Sequence, residues 1–207
     1  ERVFYMARSI RVTLENFSNT SENKRLDQRM AELRVQMRLL DIEEVREVTG
    51  FREFCLKYFA ERFQEEVMPK ERFDHIMKLN IATHVLEYTT GGHTLGYVLC
   101  SLGAQSLQYW FAFYNTDFLE YNPGKWMMWR SIQVAKELGK SYVYLGTAYG
   151  PKALYKIRDH KGIEYWDGNH WSRNVEILKS LCKMDTSIEA TDRFKTDDPV
   201  AFIQNMD

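Results

Sequence analysis

The sequence predicts an α/β protein of the α+β kind: a mixed, mostly antiparallel sheet with helices, preceded by a largely helical segment. Three observations carry this. Residues 41–78 place apolar side chains at helical spacing. From Asn80 the pattern changes to three short strand-like runs between 81 and 114, joined by connections short enough for an antiparallel meander. An amphipathic stretch, 125–138, then leads into the run Tyr142-Val143-Tyr144-Leu145, which makes a strand–helix–strand unit.

The elements follow in order. Ile10, Val12 and Leu14 alternate with Ser9, Arg11 and Thr13, the pattern of a half-buried strand whose wet face carries Arg11, with Arg8 just before it. A polar stretch, 16–21, turns the chain. Ser21 stands where it can cap a helix with a basic start, Lys24, Arg25 and Arg29, and with Arg34 and Arg38 further on. A basic strand face beside a basic helix N-terminus binds phosphates through side chains and free amides together. Thr49-Gly50 marks a boundary. Phe51, Phe54, Cys55, Tyr58, Phe59 and Phe63 then form an aromatic helical stripe, which reads as core, with Lys57, Tyr58 and Arg62 placed to edge an RNA surface. Met68-Pro69-Lys70 ends that helix and another starts at Glu71.

Ile81–Tyr88 reads as a strand, Gly91-Gly92 as its hairpin turn, and 94–102 as the partner, with Gly96 a bulge or close-approach site. The third strand, 107–114, is aromatic: Tyr109, Trp110, Phe111, Phe113 and Tyr114. The helix over 125–138 stops at Gly139, a favoured residue just past a helix end. After Tyr142–Leu145, Gly146 ends the strand and Gly150-Pro151 turns the chain. A further strand, 163–166, closes at Asp167-Gly168. Between these two strands lie Lys152, Tyr155, Lys156, Arg158, His160 and Lys161. Positive charge and phenols at the mouth of a sheet suit an anionic or ester-bearing substrate. Val175, Leu178 and Leu181 mark a covering helix. Residues 1–183 thus read as one domain, with 1–78 its strand and helical part and 79–183 its sheet core, and 184–207 as a loosely held acidic tail.

Composition narrows the classes of function. The 207 residues are 44% hydrophobic and 14% aromatic, enough for a sizeable core. A net charge of −1 excludes a general polyanion binder, so any RNA contact must come from local patches. Cys55, Cys100 and Cys182 sit singly among apolar neighbours, without metal spacing, and read as free thiols in a reducing cytoplasm. No run is long enough to span a membrane, and no signal peptide is visible. The chain opens on Glu1 instead of Met, which reads as a piece of a longer protein.

Two segments resemble a known family, the arginyl-tRNA–protein transferases and their bacterial leucyl-transferring relatives. Arg8-Ser9-Ile10-Arg11 with Ser21-Glu22-Asn23-Lys24-Arg25 is similar to that family's Arg-Ser-Val-Arg … Ser-x-Asn-Arg-Arg signature. Tyr144-Leu145-Gly146 with Pro151-Lys152-Ala153-Leu154-Tyr155-Lys156 is similar to its Tyr-(Leu/Met)-Gly strand and Pro-Lys-Met-x-Tyr-Lys segment. Lys24 stands for Arg, Ala153 for Met, and the connecting loop is shorter. The resemblance implies a GNAT-like acyltransferase fold that takes aminoacyl-tRNA in place of acyl-CoA. It implies transfer of an amino acid, arginine above all, to the N-terminal amine of a protein in a cytoplasmic N-degron pathway. The partners are then the tRNA and the acceptor N-terminus, with no membrane, no metal, and no cofactor beyond the aminoacyl-tRNA co-substrate. Arg8, Ser9, Arg11, Ser21, Asn23, Lys24, Arg25, Tyr144, Gly146 and Lys152 become its RNA- or substrate-binding positions.

Such an enzyme must hold an activated ester, present an amine and accept a proton. The ester carbonyl would rest on a backbone amide near Leu145-Gly146. Tyr144, Tyr155 and Lys156 would reach the terminal adenosine or its phosphates, and Asp117, Tyr155 and Lys156 form the expected catalytic set. An arginyl guanidinium would need Asp117, Glu120, Trp110 or Tyr114. An acidic acceptor N-terminus would need Arg8, Arg11 or Lys156. Asp117, Asp159 and His160 are the proton-acceptor candidates. The stretch 119–126, with one Gly, Pro123 and Trp126, lacks the glycine-rich pyrophosphate cradle of CoA enzymes. The rival readings are a CoA-dependent N-acyltransferase of the same fold and a catalytically degenerate RNA- or protein-binding module.

Overall fold

The computed structural model describes residues 3–4, 8–46, 48–63, 68–79, 81–185 and 194–195. Within them the strands are β1 (Val3–Phe4), β2 (Arg8–Thr13), β3 (Gln36–Asp41), β4 (His84–Thr90), β5 (His93–Leu102), β6 (Ser106–Tyr114), β7 (Tyr142–Ala148), β8 (Ile163–Trp166), β9 (Trp171–Ser172) and β10 (Phe194–Lys195). The helices are α1 (Ser21–Ala31), α2 (Ile42–Arg46), α3 (Phe51–Arg62), α4 (Lys70–Lys78), α5 (Pro123–Glu137), α6 (Leu154–Arg158) and α7 (Val175–Met184). Strands β1 and β10 pair with each other. The other eight form one sheet in the order β3-β4-β5-β6-β7-β2-β8-β9. Its pairs are antiparallel except β6–β7, which the α5 crossover makes parallel.

Helices cover both faces. On one, Ile10, Leu86, Val98 and Val143 pack with Leu26 of α1, Met127 and Ile132 of α5 and Leu178 of α7. On the other, Val85, Leu99 and Phe113 meet Val45, Cys55, Phe59 and Phe73 of α2–α4. The close approach expected at Gly96 is present: a Cβ there would lie 2.4 Å from the Phe113 carbonyl oxygen and 2.9 Å from Met127 Cε.

Four expectations change. The basic helix stops at Ala31, Arg34 turns the chain at φ +47°, and Arg38 lies on a strand. That strand, β3, pairs along its whole length with β4, which supplies the edge its half-exposed alternation needs. Thr20, not Ser21, caps α1: its hydroxyl accepts from the Asn23 N–H while the Asn23 side chain accepts from the Thr20 N–H. Gly146 does not end β7, which runs on to Ala148. The expected tail mostly falls outside the described residues, but Asp185 is bonded to Arg8 at 2.9 and 3.0 Å and to the Gly150 N–H at 2.9 Å.

Candidate active site

Strands β6 and β7 pair only from Ser106–Gln108 to Tyr142–Tyr144. Both then bulge. Against β5, Leu99 faces Phe111 and Cys100 faces Tyr109, so Trp110 is an extra residue on β6. Against β2, Ser9 faces Thr147 and Arg11 faces Tyr144, so Leu145 and Gly146 together oppose Ile10. Gly146 takes φ +80°, a value glycine adopts without a steric cost. A bulge bends its strand and raises its twist, and two facing bulges part β6 from β7. The parting opens a cleft of about 780 Å³. Its walls are the N-terminus of α5 (Gly124, Lys125), the start of α6 (Tyr155, Lys156) and the end of α3 (Tyr58, Arg62).

Lys156 reaches across the β7 bulge. Its Nζ donates to the carbonyl oxygens of Leu145, at 3.0 Å, and Thr147, at 3.4 Å. Gly146 lies between them, and a Cβ there would come within 3.7 Å of that Nζ. Burial lowers the Lys156 pKa below the ordinary lysine value. Tyr58, Tyr109, Tyr114 and Tyr155 bring four phenols into the same cleft. The rings of Tyr58 and Tyr114 meet edge-on with centroids 4.7 Å apart. Burial first, then the hydrogen bond between Tyr58 and Tyr114, pushes the Tyr58 phenol up. Burial likewise raises Tyr109 and Tyr155. The phenols of Tyr58, Tyr109 and Tyr155 are thus neutral hydrogen-bond donors at ordinary pH. Arg62, Lys125, Lys152 and Lys156 line the cleft, and no carboxylate does so among the described residues.

Of the residues expected to form the site, Trp110, Tyr114, Gly146, Lys152, Tyr155 and Lys156 come together here. The others lie elsewhere. Asp117 and Glu120 are exposed on the short 3₁₀ turn 116–121 and do not line the cleft; the Glu120 carbonyl accepts from Arg29. Tyr144 points from the opposite strand face and packs against Trp171. Ser9 pairs with Thr147 on β7.

The arginines expected to hold phosphates instead hold carboxylates. Arg8 is spent on Asp185. Arg11 bonds Glu164 at 2.8 Å, with its Cζ 4.2 Å from the Tyr142 ring centroid and 4.0 Å from that of Trp171. Asn23 is fully buried, donating to the Asp159 carbonyl. Ser21 and Arg25 line a separate groove with Lys125 and Arg158, and Lys24 is exposed nearby. Neither Asp159 nor His160 reaches the cleft as a base. Burial pushes the Asp159 carboxyl up, but bonds from Arg158 and Lys125 outweigh it and hold it below the usual range. Burial lowers His160 to about 4.

Tyr109, Gly124 and Lys125 are cleft residues that the sequence reading passed over. The one trace of them is the unbroken aromatic run Tyr109-Trp110-Phe111, which a regular strand would have to divide between two faces.

A mixed sheet whose parallel pair splays beside a helix N-terminus, with basic and phenolic groups in the opening, defines a GNAT-like acyltransferase fold. Solved structures agree on the fold. The C-terminal domain of a putative lysylphosphatidylglycerol synthetase from Agrobacterium fabrum matches at a TM-score of 0.55 and 12% identity, over 90% of this chain and 66% of that one. FemX matches at 0.51 and 10% identity, over 86% of this chain and 59% of its own. A GCN5-related glucosamine N-acetyltransferase region of a fungal multi-domain enzyme matches at 0.51 and 9% identity, over 80% of this chain and 20% of that one.

The chain belongs to the family described as arginine-tRNA-protein transferase, C terminus, whose sequence model matches residues 48–165. A curated relative, the aspartate/glutamate leucyltransferase of Chromohalobacter salexigens, is 27% identical over 99 residues, 46% of this chain. The match spans 40% of that relative's length. No helix among the described residues is long and apolar enough to cross a membrane.

Proposed function

We propose that this protein transfers an amino acid from an aminoacyl-tRNA to the N-terminal amine of a protein, with the ester seated between β6 and β7. The observation that carries this reading is the Lys156 ammonium held across the β7 bulge in a cleft of phenols and cations. In the step, the acceptor amine attacks the ester carbonyl, the carbon–nitrogen bond forms and the carbon–ribose oxygen bond breaks. The proton the amine loses equals the one the ribose hydroxyl gains, so no cofactor enters the balance. Tyr155, kept neutral by burial, is a donor toward the leaving oxygen, and Lys156 stabilises negative charge beside it.

The acyl-CoA reading fits less well. Pro123 has no N–H to offer, and the Lys125 and Trp126 amides both bond the Asn122 carbonyl. The first turn of α5 is thus a poor pyrophosphate cradle.

The lining also favours an uncharged donor side chain. A guanidinium would enter among Arg62, Lys125, Lys152 and Lys156 with no carboxylate from the described residues to meet it. The same cations suit an acceptor beginning with Asp or Glu, as in the relative's printed activity. An arginyl donor, the expectation from sequence, keeps one supporting feature: Trp110 and Tyr114 offer it aromatic faces. Such a route would act in the cytoplasm, which the free thiols of Cys55, Cys100 and Cys182 fit.

The test presents the protein with leucyl- or arginyl-tRNA and with peptides starting in Asp, Glu, Arg or Lys, and reads products by mass. Leucine on the acidic peptides is the expected result. Arginine alone would transfer the assignment to the aromatic-face reading. No product from either tRNA, with acetyl-CoA active on the same peptides, overturns the proposal.

A further inference from the structure

We propose that a second cavity, beneath α6 and β8, binds a backbone phosphate of the tRNA strand that leads away from the cleft; this rests on the aminoacyl-tRNA reading above. The cavity measures about 440 Å³, and Asn16, Arg158, His160, Lys161, Arg173 and Lys179 are among its walls, with no carboxylate among the described residues. His160 is 7% exposed, and its Nδ1 has no hydrogen-bond partner among the described residues. That nitrogen is closed off from solvent, so the imidazole shapes the cavity wall while the cations around it make the contacts. Burial keeps this imidazole neutral, so it adds no charge of its own to the wall.

The surrounding cations remain able to donate. Arg158 and Arg173 are paired behind the cavity with Asp159 and Glu164, yet their side chains are 63% and 70% exposed. Lys179 bonds Glu176. Lys161 is exposed and belongs to no ion pair among the described residues. A phosphate diester accepts from several such forks at once, which a single surface ion pair cannot match.

Position connects this cavity to the cleft. Lys125 lines both the cleft and a groove of about 460 Å³ that also carries Thr20, Ser21, Glu22, Arg25 and Asp159. Arg158 lines both that groove and the second cavity. Three depressions therefore follow one another along shared cations, on a chain whose net charge is −1. An extended strand with its 3′ end in the cleft would meet cations in all three, those of the groove (Arg25, Lys125 and Arg158) being paired with Glu22 and Asp159. Ser21 and Arg25, parts of the signature segment that do not reach the cleft, lie on this path.

The test measures binding of labelled tRNA to the whole chain across a salt series. Lys161→Glu with Lys179→Glu is expected to weaken binding at least tenfold at moderate salt. Lys161→Ala with Lys179→Ala is expected to make the slope of log K against log salt shallower by about 1 to 2, the loss of one or two phosphate contacts. Transfer from an aminoacylated trinucleotide, too short to reach the cavity, is expected to be unchanged in both variants, which also shows that they fold. In the wild type, the His160 ring resonances should shift on adding tRNA. Unchanged affinity and slope in the variants overturns the inference while leaving the aminoacyl-tRNA reading intact. A wild type that neither binds tRNA nor transfers from the trinucleotide overturns that reading as well. A His160 shift with inorganic phosphate that tRNA neither produces nor displaces overturns the RNA source of the phosphate.

Discussion

The Nζ of Lys156 and the carbonyl oxygen of Leu145 lie 3.0 Å apart, across the bulge that opens the cleft. With the second bond to Thr147, one ammonium ties α6 to both sides of Gly146. Lys156→Met keeps the stem and removes the donor. Two carbonyls then lose a charged partner, a loss of about 1.5–3 kcal/mol per bond in mutational series, partly offset because a desolvated charge also goes. Transfer should fall at least tenfold in single turnover, and the urea midpoint should fall by the part of that loss left after the offset. A fully active variant would remove Lys156 from the chemistry.

Arg11 is placed by its sequence motif among the RNA contacts and by its neighbours inside the fold. Its guanidinium is held between the Tyr142 and Trp171 rings and bonded to Glu164. A lysine cannot stack as a plane or bond through a fork. Arg11→Lys should therefore cost about 2 kcal/mol of stability, in the range for a desolvated cation–π contact. It should leave the salt slope of tRNA binding unchanged. A shallower slope with unchanged stability would return Arg11 to the RNA.

The difference between these two residues shows what the sequence discloses. Local pattern found the β4–β5–β6 meander, helix α5 and the segment 151–156, because each is encoded within a few residues of itself. It brought Trp110, Tyr114, Gly146, Lys152, Tyr155 and Lys156 to one site because they flank one splay. It could not find the partners of Arg8 and Arg11, since Asp185 and Glu164 lie 177 and 153 residues away along the chain. Nor could it find either bulge, because a bulge is a relation between a strand and its neighbour. Strand β3 was hidden for a related reason: Met37-Arg38-Leu39-Leu40 suits a helix as well as an edge strand, and only its pairing with β4 decides.

The Arg8–Asp185 pair gives a pH dependence with a definite sign. Burial pushes the Asp185 carboxyl up, but bonds from Arg8 and the Gly150 N–H outweigh it and hold it below the usual aspartate value. The unfolded chain then binds that proton more readily than the folded one. The stabilisation is present above the unfolded pKa, about 3.9, and is lost as pH falls through the lower folded value. Asp185→Asn should cost about 3 kcal/mol at pH 7, because it leaves a largely buried guanidinium without its charge partner. The gap between wild type and variant in urea unfolding should close in acid. A gap independent of pH would mean that the pair contributes by shape alone.

Gly124 allows the Tyr114 ring to lie against the start of α5. A Cβ there would fall 2.7 Å from Tyr114 Cε1 and 3.3 Å from its Cζ, so the ring has to move. Gly124→Ala gains helix propensity of about 1 kcal/mol, which offsets much of the overpacking. Stability should change by less than about 1 kcal/mol. The KM for aminoacyl-tRNA should rise several-fold as Tyr114 is displaced from Tyr58. An unchanged KM would show that neither ring touches the donor.

Arg62 tests the acceptor side. It ends α3, is exposed, and faces the cleft from the wall opposite α5 and α6. If acidic acceptors are selected by charge, an exposed cleft cation such as Arg62 should act on discrimination more than on turnover. An exposed pair in high dielectric is worth about 1 kcal/mol, and reversing its sign roughly doubles the difference. Arg62→Glu should then lower kcat/KM for peptides beginning with Asp or Glu by about tenfold or more, and change that for an uncharged N-terminal residue by less than threefold. Added salt should narrow the wild-type preference for the same reason. An equal loss on all peptides would instead make Arg62 a support for the end of α3, and the acidic preference would then rest on Lys152 and Lys156.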